Sequence, residues 1–377
     1  MKAYAMSTRR MMIMHTIGGI EPDGGGPSRS VPNLCRALAQ SGTATCLLSH
    51  LRSRGECSQE PHLDVVFGGG LGFAPARRTI AELAGKWRPD IIHDNSLWML
   101  SNHAVCAYAR SHRIPLVVAP RGTLAPWAMN YKKWKKRLAW ILYQRRDLAG
   151  ADAFHVTSED ELEQVRCQGF RQPVILVPNG VDIPPGVWNM RNIARPSDEA
   201  RVRRVLYLGR IHFQKGLREL VSAWAELKKS GTDAWQLEFV GPDVAGHQAQ
   251  LIADAERLGM KVGVGRYQPR ASSGEQLNVP DVVFTGALDD DEKWDAYTRA
   301  DMVALPSYTE NFGLTVAEGL AAGKPVITTK GTPWSELHGA ETGRCGWWID
   351  IGVEPLIVAL KEATRLTDEE RRLMGRV

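Results

Sequence analysis

The chain has 377 residues, 44% apolar and 24% charged, the length of two domains and the composition of an ordinary globular protein. It has no apolar run of about eighteen residues and no signal-peptide pattern, and its cysteines form no C-x-x-C pair; this argues against a membrane span, a secreted disulfide framework or a metal ribbon, and for free thiols in a reducing cytoplasm. The net charge of +5 is uneven: residues 1–183 hold 23 Lys+Arg against 15 Asp+Glu and residues 184–377 hold 24 against 27, so an anionic partner is expected on the first half.

Residues 11–17 read as a strand, 18–27 (GGIEPDGGGP) as a glycine-rich loop and 28–40 as a helix with Val31, Leu34 and Leu38 at helical spacing. The loop is not a G-x-x-x-x-G-K-[ST] phosphate loop, and a flexible surface turn is its other reading. Strand signals follow at 45–49, 63–66, 91–93, 116–119, 153–157 and 174–177, with helices near 79–86 and 101–112, the rhythm of a doubly wound sheet. PDIIHDNSLW (89–98) ends a strand in polar groups, where such sheets bind ligands, so His93, Asp94 and Asn95 are candidates. His93 reads equally well as a buried core histidine, and His103 is a weaker candidate. In APRGTLAPWAM (119–129), Arg121 beside Gly122 sits at another strand end, as a contact to phosphate or sugar or as a structural ion pair.

YKKWKKRLAWILYQRR (131–146) has seven basic residues and no acidic one. On a helix Trp134, Leu138, Ile141 and Leu142 form one apolar stripe, flanked by Lys132, Lys133, Lys136 and Arg137, which predicts a membrane-surface element. The competing reading packs the stripe on the domain. Nucleic acid has less support, because the basic residues are not interleaved with aromatics on a sheet or loop. Ser158 is expected to cap a helix. Residues 184–201 are charged and aperiodic, which sets the domains at 1–183 and 184–377.

The second half opens with a strand at 204–208 and the turn LGRIHFQKG. Arg210 and Lys215, flanked by Gly209 and Gly216 at the start of helix 217–228, suit a diphosphate. Strands follow at 237–240 and 282–285, the latter ending at Gly286. Asp289 and Asp291 imitate a D-x-D metal motif but read as an acidic helix start. Strand 302–305 then leads into PSYTENFGLTVAEGLAAG (306–323) and a strand at 326–329. That unit presents a helix N-terminus to an anion, a glycine at 313 that admits close approach, and two carboxylates, Glu310 and Glu318, suited to sugar hydroxyls.

The E-N-F-G-x-x-x-x-E string before an apolar helix and a G-x-P-V-I strand resembles the donor motif of retaining glycosyltransferases of family 4. The resemblance covers residues 10–375 and is strongest over 204–350. It implies the α/β GT-B fold, two Rossmann-like domains facing each other across a cleft, the first for the acceptor and the second for the donor. It implies sugar transfer from a UDP- or GDP-type nucleotide-sugar to a glycan or polyprenyl-diphosphate-linked acceptor, with retention and without a metal or other cofactor. By this resemblance Arg210, Lys215 and the N–H groups of Asn311, Phe312, Gly313 and Leu314 hold the diphosphate. Glu318 holds the ribose, Glu310 the transferred sugar, and Gly286 lies near the base. Gly24, Gly25, Gly26 and Arg121 line the phosphate and acceptor side. Many relatives carry His-x-His at 93–95; here Asn95 replaces the second histidine and is no base near neutral pH. Strings like the one around Arg121 point to bacterial exopolysaccharide or lipopolysaccharide assembly, on the inner face of the cell membrane. A GT-B epimerase or phosphorylase and an inactive transferase-like subunit are the alternatives. Relatives usually end in a helix that returns to the first domain, and little sequence is left for one.

Overall fold

The computed structural model describes residues 10–21, 25–51, 61–190, 202–232, 234–266, 279–339 and 343–376. The chain divides into two compact units, Met1–Gly180 and Val181–Val377, each built on one seven-stranded parallel sheet. The strands of the first are β1 (Met12–Ile17), β2 (Ala44–Ser49), β3 (Leu63–Phe67), β4 (Ile91–Asp94), β5 (Leu116–Val118), β6 (Ala153–Val156) and β7 (Val174–Leu176), in the order β3-β2-β1-β4-β5-β6-β7. Those of the second are β8 (Arg203–Leu208), β9 (Trp235–Val240), β10 (Val262–Val264), β11 (Val282–Gly286), β12 (Met302–Leu305), β13 (Val326–Thr329) and β14 (Gly346–Ile349), in the order β10-β11-β9-β8-β12-β13-β14.

Parallel strands covered by helices on both faces must be apolar throughout. β12, MVAL, meets this at every position; β9, WQLEFV, is buried throughout as well, and its two polar residues are satisfied, Gln236 donating to the Pro280 carbonyl at 2.9 Å and Glu238 accepting from the Thr285 hydroxyl at 2.9 Å. The core of the second unit closes around Tyr207, Trp224, Phe239, Phe284 and Tyr297, with Phe239 and Phe284 stacked at 4.9 Å. The first unit has a core around Met14, Ile80, Ile92, Val118 and Phe154.

The strand order reverses between β1 and β4 in the first unit and between β8 and β12 in the second, where β11 also inserts between β10 and β9. Crossovers leave such a pair of strands in opposite directions, so their C-terminal loops part and leave a crevice. Residues 18–21 and 95–99 flank the first crevice, and loops 209–216 and 306–313 the second. Every loop that the sequence marks as a candidate, except that at Arg121, which follows β5, springs from one of these four strands or from β11. The segment expected to be aperiodic begins with a helix, Pro185–Met190, whose Val187 packs into the second core. Asp289 is the N-cap of helix Asp290–Arg299, in a capping box with Glu292, so these acidic residues are a helix start as expected. Ser158 likewise caps helix Glu159–Cys167.

Candidate active site

In the second unit, loops 209–216 and 306–313 are locked together. Gly216 has φ 63°, and a Cβ there would lie 2.1 Å from the Pro306 carbonyl oxygen, so only glycine permits this approach. The Tyr308 N–H donates to the Gln214 carbonyl at 2.9 Å, and the Tyr308 hydroxyl donates to Glu219. This contact brings Lys215 onto Glu310 as a half-buried ion pair, and Ser307 Oγ donates to the same Glu310 oxygen, Oε1, at 2.7 Å. The Glu310 N–H donates to the Gly331 carbonyl at 2.7 Å, which fixes the loop. The Glu310 carboxylate is therefore held by one oxygen, and Oε2 has no partner among the described residues.

Arg210 follows β8 with its guanidinium free of ion pairs and hydrogen bonds among the described residues. Its position is read from its neighbours. Burial first, then the Glu310 charge, holds the Tyr207 phenol well above its ordinary value, with Arg210 opposing. His212 is held below its ordinary value by burial and by the positive charges of Arg210, His247 and Lys215. Arg210, Lys215 and Glu310 thus act on adjoining side chains. Beside them helix Leu314–Ala321 begins at Gly313, which caps it at φ 81°; the N–H groups of Phe312, Gly313 and Leu314 make no hydrogen bond among the described residues. These donors and the positive end of the helix face the crevice as an anion site. Trp334 closes the rear: its Nε1–H donates to the Phe312 carbonyl, and its indole lies 3.2 Å from where a Gly313 Cβ would be.

Glu318 is buried and already has partners: Lys293 Nζ donates to Oε1 at 2.9 Å and the Tyr297 hydroxyl to Oε2 at 2.7 Å. Both come from helix Asp290–Arg299, to which no motif in the sequence assigns a site role. Each carboxylate oxygen keeps a second lone pair for a hydroxyl donor. Gly286 has φ 83° with open space where a Cβ would stand, and its carbonyl accepts from the Gly241 N–H at 2.8 Å.

In the first unit, the loop after β5 turns at Arg121, a non-glycine residue at φ 54°. Glu161 holds this turn, accepting from the Gly122 N–H at 2.7 Å and the Thr157 N–H at 2.8 Å. The Arg121 side chain is buried. Its Nε and Nη2 donate to Asn95 Oδ1 at 3.3 and 2.8 Å, and its Nη1 donates to Asn179 Oδ1 at 3.0 Å. Asn95 Nδ2 in turn donates to the carbonyls of Thr16 and His93 at 3.4 and 3.1 Å. Asn95, a candidate at this strand end, is thus buried, with its amide N–H groups spent on those two carbonyls and its oxygen on Arg121.

His93 stacks between His15 and His155, with centroids 4.8 and 5.2 Å away, and shares a 3.3 Å contact with His155 Nδ1. β1 and β4 pair His15 directly with His93. Burial above all holds the three below the ordinary imidazole value, followed by Arg121 at His15 and His155 and by the neighbouring histidines and then Arg121 at His93; His15 lies at about 3 and His155 at about 4. The three rings are neutral near pH 7, and Arg121 is the charge among them. His103 is bound to Asp147 at 2.7 Å, with Arg110 on the other carboxylate oxygen at 3.2 Å, and is a structural group. Gly25 caps helix Gly26–Gln40 at φ 90°, Gly26 faces open space, and Gly24 lies outside the described residues.

The basic segment is one helical rod in three parts: Lys133–Ala139, a π-helical turn Trp140–Gln144, and Arg145–Ala149. The apolar stripe faces outward, with Trp134, Leu138, Ile141 and Leu142 exposed by 69, 53, 73 and 68%. The reading that packs this stripe on the domain is overturned. Lys132, Lys133 and Arg137 are exposed beside it. Lys136 is not free for a surface: its Nζ donates to the Ala128 carbonyl at 2.5 Å and lies over the Trp98 ring.

Residues 25–180 match the family described as glycosyl transferase 4-like domain, and residues 191–375 the family described as glycosyl transferases group 1. A glycogen synthase of Mycobacterium tuberculosis is 25% identical over 341 residues, covering 81% of this chain and 74% of the relative. A sulfoquinovosyl transferase of Arabidopsis thaliana is 26% identical over 314 residues, covering 80% and 54%. Among solved structures, sucrose-phosphate synthase from Thermosynechococcus elongatus superposes with a TM-score of 0.75 at 19% identity, over 97% of this chain and 92% of that one. Anabaena HepE, solved with UDP-glucose, superposes with a TM-score of 0.68 at 18% identity, over 97% and 93%.

Proposed function

Since the chain belongs to the group 1 glycosyltransferases of GT-B fold, with a 4-like domain first, we propose that it transfers a sugar from a UDP- or GDP-type donor with retention and without a metal. The observation that carries this is the Lys215–Glu310 pair beside the free N–H groups at 312–314, on two loops locked together by Gly216 and Tyr308, with Arg210 on the first of them. A diphosphate leaving group gains negative charge as its bond to the sugar breaks. Fixed cations and N–H dipoles stabilise that charge without reorganising, and a single such group is worth roughly 3–4 kcal/mol, about 100- to 1,000-fold in rate. In this reading the free Arg210 meets the diphosphate first, and Lys215 exchanges part of its contact with Glu310 for a phosphate oxygen. Glu310 keeps Ser307 and turns its open oxygen to a sugar hydroxyl. Glu318, held in place by Lys293 and Tyr297, accepts from the ribose. In this reading the departing phosphate takes the acceptor's proton in a front-face displacement.

The acceptor is a glycan or a polyprenyl-diphosphate-linked sugar, handled by the first unit at Arg121, as in bacterial exopolysaccharide or lipopolysaccharide assembly. In this reading the protein works on the cytoplasmic face of a membrane with anionic lipid, supported by the exposed stripe and its flanking lysines. Charge complementarity supports this partner too: the segment has seven basic residues and no acidic one in sixteen. Incubation with UDP-, GDP- and ADP-sugars and a lipid-linked acceptor, followed by measurement of free nucleotide, tests the transfer. Release from one donor, dependent on acceptor, is expected. No release from any donor would overturn the reading.

A further inference from the structure

Trp98 stands where the loop after β4 meets the basic helix, and its backbone is unusual. Its φ is 75°, in the left-handed region that bulky side chains rarely adopt and that persists only where the surroundings over-determine it. Its N–H donates to Gln144 Oε1 at 2.7 Å, and its carbonyl accepts from the Tyr143 hydroxyl at 2.8 Å. Its ring lies under Lys136 Nζ at 5.0 Å and beside the Trp140 ring at 5.9 Å. Its indole Nε1–H donates to the Thr123 carbonyl at 3.3 Å. Four of these five contacts come from one helical rod. The fifth goes to the turn that carries Arg121.

The π-helical turn Trp140–Gln144 makes this possible. A π turn holds an extra residue and shifts which side chains face inward, and such turns are frequent at functional sites. Here Trp140, Tyr143 and Gln144 turn toward Trp98, Gln144 being fully buried, while Ile141 and Leu142 of the same turn are left outside. The outward stripe and the inward clamp are therefore parts of one rigid element. Its inner side grips the loop bearing Asn95, which orients Arg121.

We propose that Trp98 is a positioning residue through which the exposed helix face, on meeting an anionic lipid surface, sets the loops that carry Asn95 and Arg121. This rests on the membrane reading above and gives that surface a second role, the adjustment of the acceptor side when the enzyme is on the lipid. The contacts of Trp98 with the rod and with Thr123 supply the physical link through which ordering of the rod reaches both loops.

The proposal is tested by amide hydrogen exchange on the full chain, free and with vesicles of phosphatidylglycerol and phosphatidylcholine, with binding followed by sedimentation. In the wild-type protein the mixed vesicles should slow exchange over 133–144 and also over 95–99 and 121–124, and pure phosphatidylcholine vesicles should do neither. Gln144→Leu should still sediment with the vesicles but lose the slowing at 95–99 and 121–124. Tyr143→Phe, which removes only a hydroxyl, should lose part of it. Binding without any change at 95–99, or the same slowing in Gln144→Leu, overturns the clamp alone. No sedimentation with anionic vesicles overturns the membrane reading and the clamp with it.

Discussion

The two units solve one architectural problem with opposite electrostatics. Both are seven-stranded parallel sheets, and both gather polar groups where the strand order reverses, at β1 and β4 and at β8 and β12. The second unit keeps its charges half-exposed: Lys215 on Glu310 at the crevice, and Arg210 free beside them. The first unit buries its own. Asp94 is fully buried between Thr16 and Asn102, and burial raises its carboxyl to about 8. His15, His93 and His155 are held neutral, and Arg121 is buried against two asparagines. Half-exposed charges can exchange partners when a charged ligand arrives. Buried ones are committed, because an uncompensated charge in the interior costs several kcal/mol. In the proposed reading the second unit receives an anion, whereas the first holds one guanidinium between two asparagines.

The contrast breaks first at the second unit. Lys215→Ala and Glu310→Gln should each lower turnover by about 100- to 1,000-fold with the melting temperature little changed. Near-normal rates in both would remove the site from this crevice. Next, changing Lys132, Lys133, Lys135 and Arg137 to Glu should abolish sedimentation with anionic vesicles, at about 1 kcal/mol for each cation lost. Lys136 is left out because it anchors Ala128, and Lys136→Glu should destabilise the fold instead.

Lys293→Met should weaken donor binding about 10- to 100-fold, seen in KM or nucleotide titration, by leaving buried Glu318 without its cation. An unchanged KM would make the Lys293–Glu318 pair purely structural. The smallest effect is on stability against pH. Asp94 binds its proton more tightly folded than unfolded, so its contribution is fully present below pH 3.8 and is lost as pH rises toward 8. Asp94→Asn should remove that slope, at most about 1.4 kcal/mol between pH 6 and 7. The lowered histidines act in the opposite sense: stability that depends on neutral His15 is lost as pH falls from 6.5 toward 3. Thermal melts from pH 4 to 8 distinguish the two.

Periodicity alone determined most of the strands and both Rossmann-like units, because buried parallel strands must be apolar throughout and their helices amphipathic. It missed β10, a three-residue edge strand with a glycine at its centre, β14, and helix Val353–Arg365. Local spacing also marked the candidate donor loops, since Arg210 and Lys215 lie on one turn and Glu310 and Glu318 on one loop and helix. Partners were another matter. Lys293 meets Glu318 from 25 residues away, Glu161 meets Gly122 from 39 and Gln144 meets Trp98 from 46. A carboxylate or amide carries no mark in the sequence of which distant group it will satisfy. Only the packing of β4, β5 and the basic helix decided that Asn95 would serve Arg121, that Lys136 would turn inward, and that the apolar stripe would face out. A helix of that composition buries or exposes its stripe according to what its neighbours leave uncovered, and the neighbours are fixed by the tertiary fold.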